Sequence, residues 1–243
     1  MLDRYSREQI KNIWTLESKF DYYLKVELAV CDAYFKIGKI PEKALNEIKT
    51  SANFSVSRID EIEAEVKHDV IAFLTNVNES VGKENSKYIH MGLTSSDVID
   101  TAFALQIKDS ANIISDDLSK LINLVKEKAF QYKNTPCIGR SHGIHAELTT
   151  FGTKLLNWLD ELERVQKSFN ESVAEISVGQ ISGPVGTYSN VPVEIEELTC
   201  QNLGLTPAKI STQIISFWKM DKNLKLDGYH IKFYDLTNER GTN

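Results

Sequence analysis

SDVIDTAFALQIKDSANIISDDLSKLINLVKEKAFQY, residues 96–132, contains neither glycine nor proline. Its apolar residues Ala104, Ile107, Ala111, Ile114, Leu118, Leu121 and Val125 recur at alternating steps of three and four. A helix turns once in about 3.6 residues, so these steps lay one apolar seam along a single face. Such a heptad-like seam predicts a long helix packed nearly parallel to other helices. A second seam follows shortly after: Phe151, Leu155, Trp158, Leu162, Val165, Phe169 and Val173. Two helices of this length with a short connection form an antiparallel hairpin. Phe103, Ile113, Ile122, Leu156 and Leu159 lie outside the seams, so the pair cannot shield all its apolar surface. Further helices are required, from this chain or from copies of it, and an oligomeric bundle is expected.

The chain N-terminal to this region also reads as helix. Ser6 to Trp14 opens with a serine and a glutamate, in the manner of a capping box. From Glu17 to Ile37, Phe20, Leu24, Leu28 and Cys31 keep helical spacing, and Gly38 ends the run. Pro41 stands where proline favours a helix start. Ser55 to Asn76 continues the pattern as one segment. After Ala174 the glycines and proline of "SVGQISGPVGTYSN" predict a loop or short hairpin. Residues 193–203 return to helix and stop at Gly204. The fold class is all-α: a small N-terminal helical domain, residues 1–93, then the start of a long-helix bundle, 94–216. Residues 217–243 form a divergent tail without clear period.

Composition narrows the function. With 243 residues the chain can bury a sizeable core. Its 42% apolar and 26% charged residues are those of an ordinary globular protein. A formal net charge of −6 argues against nucleic acid as the partner but leaves room for a basic pocket holding one small anion. The N-terminus resembles no signal peptide, and no apolar run suits a bilayer. Three scattered cysteines, Cys31, Cys137 and Cys200, point to a reducing, cytoplasmic compartment rather than a disulfide framework.

Three histidine neighbourhoods carry the chemistry. In "EVKHDVIAF", 65–73, His68 stands between Lys67 and Asp69. A solvated helix face explains these charges; a histidine beside a lysine also suits an anion. In "YIHMGLTSSDVIDT", 88–101, Thr94, Ser95 and Ser96 precede the long helix. One hydroxyl suffices for an N-cap, so the surplus is available to an anionic ligand at the helix N-terminus. His90, four residues ahead, stands behind that shell. In "GRSHGIHAE", 139–147, His142 and His145 are three apart. His142, His145 and Glu147 permit a zinc site, although no further histidine lies nearby in sequence. A lone positioned His142 between glycines permits general acid or base work, and an ordinary inter-helix stretch is the third reading.

The order of these motifs resembles the fumarase/aspartase superfamily of lyases, and within it the adenylosuccinate lyase family. The resemblance runs from "DRYSREQIKNIW", 3–14, through the three histidine motifs and "VGQISGPVGTYSN", 178–190, to "GLTPAKISTQ", 204–213. It implies β-elimination of succinyl-purine nucleotides with release of fumarate, in AMP and purine biosynthesis, without metal or organic cofactor. It implies a homotetramer with shared sites, small-molecule substrates, and neither nucleic acid nor membrane as partner. By the same resemblance His142 is the general acid, and Arg4 and Tyr5 hold the nucleotide. Lys67, His68 and Asp69 match a basic residue–His–Asp binding segment, Thr94 and Ser95 the succinyl contacts, and Gln213 a further substrate contact. Leu148 stands where the family usually carries proline. Near Ser216 the resemblance stops, and no match to the family's "GSSxMPxKxN" serine-base loop follows. A truncation or frameshift is therefore expected, with little lyase activity from the chain alone. The alternatives are another lyase of the superfamily and a non-catalytic helical interaction protein.

Overall fold

The computed structural model describes residues 3–215 and two short strand pieces, Lys225–Leu226 and Tyr229–His230, which pair antiparallel. Apart from these pieces, the divergent tail lies outside the described residues. Eight α-helices are found among the described residues: α1 (Glu8–Ile13), α2 (Leu16–Lys36), α3 (Glu42–Ser51), α4 (Val56–Val66), α5 (Asp69–Val81), α6 (Ser95–Gln131), α7 (Phe151–Ile176) and α8 (Val193–Leu203). Strands are few: β1 (Pro136–Ser141), β2 (Ile144–Thr150), β3 (Val178–Gly179) and β4 (Thr206–Pro207). The fold is all-α, as the seams require.

The residues form two compact units. One is built from the chain up to Ser110 and again from Ile176; the other from Ala111–Glu175. The long helix α6 therefore contributes to both.

In the first unit α2 is the central element. Thr15 caps it, its side chain accepting from the Ser18 N–H at 3.1 Å. Phe20, Tyr23, Val26, Val30, Cys31, Ala33 and Tyr34 are all buried, so the helix meets neighbours on most sides. Phe20 stacks on Phe73 of α5 with ring centroids 5.6 Å apart, and Tyr23 and Phe54 pack edge-on or tilted around them. Such aromatic pairs contribute about 0.5–1.5 kcal/mol each beyond their burial. Val98, Ala102, Ala104 and Leu105 of α6 and Ile195 and Cys200 of α8 complete this core. α8 stops at Gly204, left-handed at φ +65°, as its glycine predicts.

The expected single segment from Ser55 to Asn76 is instead two helices. Lys67 ends α4 in the left-handed region (φ +57°), and His68 caps α5, its Nδ1 accepting from Ile71 N–H at 3.4 Å. Nothing in the apolar spacing marks this break, because both helices present their faces to one core. Pro41 is the N-cap of α3 rather than its first helical residue.

In the second unit the C-terminal part of α6 runs against α7. Gln166 Nε2 donates to Ser119 Oγ at 2.8 Å, and Ser115 Oγ to Asn170 Oδ1 at 3.4 Å. The pair buries Ile122, Ala129, Leu155, Leu159 and Phe169. Seam residues Leu121 and Trp158 are 44% and 56% exposed, since two helices cover only one stripe of each other. At the root of the hairpin α7 begins almost in contact with the end of α6. A Cβ on Gly152 would lie 2.6 Å from the Ala129 carbonyl oxygen and from Lys133 Cα, so this position has no room for a side chain. Tyr132 and Phe151 pack edge-on beside it, 5.4 Å between centroids.

The connection between the long helices differs from the loop expected. β1 and β2 form a two-stranded antiparallel hairpin, with an irregularity between Ile138 and Arg140. Its turn is His142–Gly143, at φ +54° and +79°. Positive φ at both central residues is the pattern of a type I′ turn, whose twist suits a two-residue hairpin. Leu148 is paired with Ile138 and 73% exposed, so the residue replacing the expected proline sits within a strand.

Candidate active site

The start of α6 is organised by a carboxylate. Asp97 is fully buried and accepts three backbone N–H groups: Thr94 at 2.9 Å, Ser182 at 3.0 Å and Gly183 at 3.1 Å. The bond from Thr94 is the returning half of a capping box, with aspartate in the third helical position. The cap therefore runs from Asp97 back to Thr94, and not from a Thr94 or Ser95 hydroxyl as the sequence suggested. Among the described residues neither hydroxyl makes a hydrogen bond. Burial pushes the Asp97 carboxyl up from its ordinary value, against the pull of the three amides.

The same carboxylate draws a distant loop to this helix end. Ser182 Oγ lies 2.7 Å from Ser211 Oγ, and Gln180 Nε2 donates to the Gln213 carbonyl at 2.8 Å. Gly186 (φ +74°) passes so close to the 211–212 backbone that a Cβ would fall 2.2 Å from the Ser211 carbonyl oxygen. Glu196, also buried, accepts from Ile181 N–H and from Tyr188 Oη, both at 2.8 Å, and burial raises its carboxyl too. Asp100 accepts from Ile215 N–H at 2.8 Å, and burial likewise raises it. Three motifs far apart in sequence (94–97, 180–188 and 211–215) thus meet at one helix N-terminus, held by the carboxylates of Asp97, Asp100 and Glu196.

Of the other sequence-derived residues, Gln213 joins this convergence through its backbone, and the rest belong to other elements. Lys67, His68 and Asp69 occupy the break between α4 and α5. Asp69 pairs with Lys19 of α2 at 3.2 Å, and Lys67 Nζ reaches the Ala64 carbonyl. No hydrogen bond or ion pair among the described residues joins them to Thr94 or Ser95. Arg4 and Tyr5 end a 3₁₀ turn, Asp3–Tyr5, with the guanidinium 4.8 Å from the ring centroid and Tyr5 74% exposed. Gln213 is exposed, and only its backbone is engaged by Gln180. His142 belongs to the second unit, exposed at the tip of the β1–β2 hairpin. His145 faces Arg140 at 3.4 Å, and among the described residues no group of three or more His, Cys, Asp or Glu side chains is gathered for a metal. The trio His142, His145 and Glu147 is not such a cluster.

Non-glycine residues in the left-handed region lie in these motifs: Lys67, His90, His142 and Tyr188, with φ between +54° and +60°. Each such conformation costs on the order of 1 kcal/mol and persists where surrounding contacts enforce it. Glu196 is not singled out by the sequence, because an isolated acid in a helical run reads as a solvent-facing residue.

The chain belongs to the lyase family, whose model matches residues 4–226. Its similarity to adenylosuccinate lyases is high: 51% identity over 216 residues with that of Synechocystis sp., covering 89% of this chain and 50% of the relative. The adenylosuccinate lyases of Staphylococcus saprophyticus and Bacillus subtilis are 45% and 44% identical over 215 residues, each covering 88% of this chain and 50% of the relative. The chain thus spans about half the length of these relatives. Among solved structures, a fumarate lyase from Mesorhizobium superposes with a TM-score of 0.78 at 26% identity, over 85% of this chain and 50% of that one. A 3-carboxy-cis,cis-muconate lactonizing enzyme from Pseudomonas putida shares the fold, with a TM-score of 0.76 at 24% identity over 85% and 49%. Among the described residues no helix is long and apolar enough to cross a membrane.

Proposed function

We propose that this sequence serves an adenylosuccinate lyase, splitting adenylosuccinate to AMP and fumarate and the succinylated aminoimidazole carboxamide ribotide to its carboxamide and fumarate. In the β-elimination a base removes a proton from the carbon beside a carboxylate. The C–H electrons form the new double bond, the C–N electrons leave with nitrogen, and an acid protonates that nitrogen. His142 is assigned the acid. Arg4 and Tyr5 hold the nucleotide, Thr94 and Ser95 take the succinyl carboxylates, Lys67, His68 and Asp69 form a substrate-binding segment, and Gln213 makes a further substrate contact. The reaction calls for no metal or organic cofactor. The working form is a cytoplasmic homotetramer, consistent with the exposed Leu121, Leu124, Leu156 and Trp158 of α6 and α7.

The observation that supports this reading best is the start of α6. Two hydroxyls there have no partner among the described residues, because Asp97 has taken over the cap. A helix N-terminus with uncommitted donors suits a dicarboxylate. Calorimetric titration of the full chain tests it. Saturable binding of adenylosuccinate is expected, weakened about tenfold or more by Ser95→Ala and by His68→Ala. Binding of a different succinyl or fumaryl compound in its place points to another lyase of the superfamily, and no binding of either kind overturns the proposal. The acid is tested in a chimera carrying residues 1–215 in place of the matching part of the Bacillus subtilis relative. Fumarate release is expected, falling about 10²–10⁴-fold with His142→Ala.

A further inference from the structure

Helix α2 directs a row of polar atoms at the segment that leads into α6. Glu27, Cys31 and Tyr34, spaced four and three apart, share one face of that helix. Cys31 Sγ meets the Tyr88 carbonyl at 3.6 Å, and Tyr34 Oη donates to the Met91 carbonyl at 3.0 Å. Between them Glu27, fully buried, holds a single residue twice. Its Oε2 accepts the His90 backbone N–H at 2.8 Å, and its Oε1 lies 2.7 Å from His90 Nδ1. His90 is also one of the left-handed residues, at φ +60°.

We propose that Glu27 is the positioning residue for His90, keeping a proton on Nδ1 and turning Nε2 toward the ligand as the working nitrogen. A carboxylate only accepts, so a 2.7 Å contact with Nδ1 requires the hydrogen to sit on that nitrogen. Turning the ring over would put a C–H against Oε1 and lose the 2.7 Å contact, while the other oxygen stays on the backbone of the same residue. Nε2 has no hydrogen-bond partner among the described residues, and the side chain is 21% exposed. His90 stands four residues before Thr94, on the chain entering the α6 N-terminus. The group it would meet carries an N–H or O–H, such as an amine or ribose hydroxyl of a purine nucleotide. That ligand class rests on the proposed lyase function; the placement of the proton does not.

Nitrogen-15 NMR of the histidine side chains of the full chain, with His90 assigned through His90→Gln, reads the proton directly. The wild-type spectrum is expected to show His90 protonated at Nδ1. In Glu27→Gln the amide oxygen still serves the backbone N–H while the amide nitrogen donates to Nδ1, so the proton moves to Nε2. Glu27→Asp retains a carboxylate and restores Nδ1 protonation. A wild-type His90 with a bare Nδ1 overturns the proposal, even if neither variant folds. AMP titration supplies a second reading: Glu27→Gln and His90→Gln each weaken binding about tenfold, and the double variant no further. Additive losses would overturn the coupling. Nδ1 protonation in a chain that binds no AMP would leave the Glu27 assignment standing and count against the nucleotide reading alone.

Discussion

Asp97 shows how one side chain binds distant parts of the sequence together. Its two oxygens serve three amides, and an asparagine offers one acceptor while pointing an N–H₂ at the remaining donors. Asp97→Asn is therefore expected to cost about 2–4 kcal/mol, read as a lower urea midpoint, because buried amides are left unpaired. Glu196 carries a pH dependence of definite sign. Burial raises its carboxyl in the folded chain, so the native state holds a proton that the unfolded state has released. That contribution is fully present below the unfolded value and is lost as pH rises through the folded one. The stability of wild type relative to Glu196→Gln is thus expected to be greater at pH 5 than at pH 7, measured by thermal unfolding. At this scale the sequence is partly legible. Thr94 and Ser95 were visible as a hydroxyl-rich helix start, but their release from capping was not. It depends on Asp97 meeting amides some 85 residues away, which no local pattern encodes.

The elements depend on close approach as much as on apolar spacing. Alanine normally favours a helix over glycine by about 1 kcal/mol. At position 152 the order is expected to reverse, since the new methyl would press into the backbone at Ala129 and Lys133. Gly152→Ala is expected to destabilise the chain by about 1–3 kcal/mol in chemical denaturation. The long helices were plain from their seams, because periodicity over many turns is a strong signal. The break at Lys67–His68 was not, because it interrupts the backbone without interrupting the apolar face. The β1–β2 hairpin was also hidden. Its strands are mostly exposed and carry little alternation, and its decisive feature is a His-Gly turn rather than the commoner Asn-Gly.

At the scale of the whole molecule, protection should follow burial. Hydrogen exchange is expected to be slowest in α2, whose side chains are buried on most sides, and fastest in the exposed ladder of residues 136–150. Mass-spectrometric exchange distinguishes them within one experiment. The apolar faces left open on α6 and α7 are expected to bring chains together, read as a mass above 27.5 kDa in light scattering. Membership of the lyase family was legible from motif order, since each motif alone permits a bland reading and the sequence of all of them does not.

The β1–β2 ladder is a cantilever. Six residues at about 3.4 Å each carry imidazole 142 roughly 20 Å from the strand's root. Over such an arm, a tilt of about 5° at the base swings the tip by nearly 2 Å. The aim of that ring is therefore decided less by its immediate neighbours than by how stiffly Tyr132, Phe151 and the bare backbone of residue 152 clamp the fulcrum.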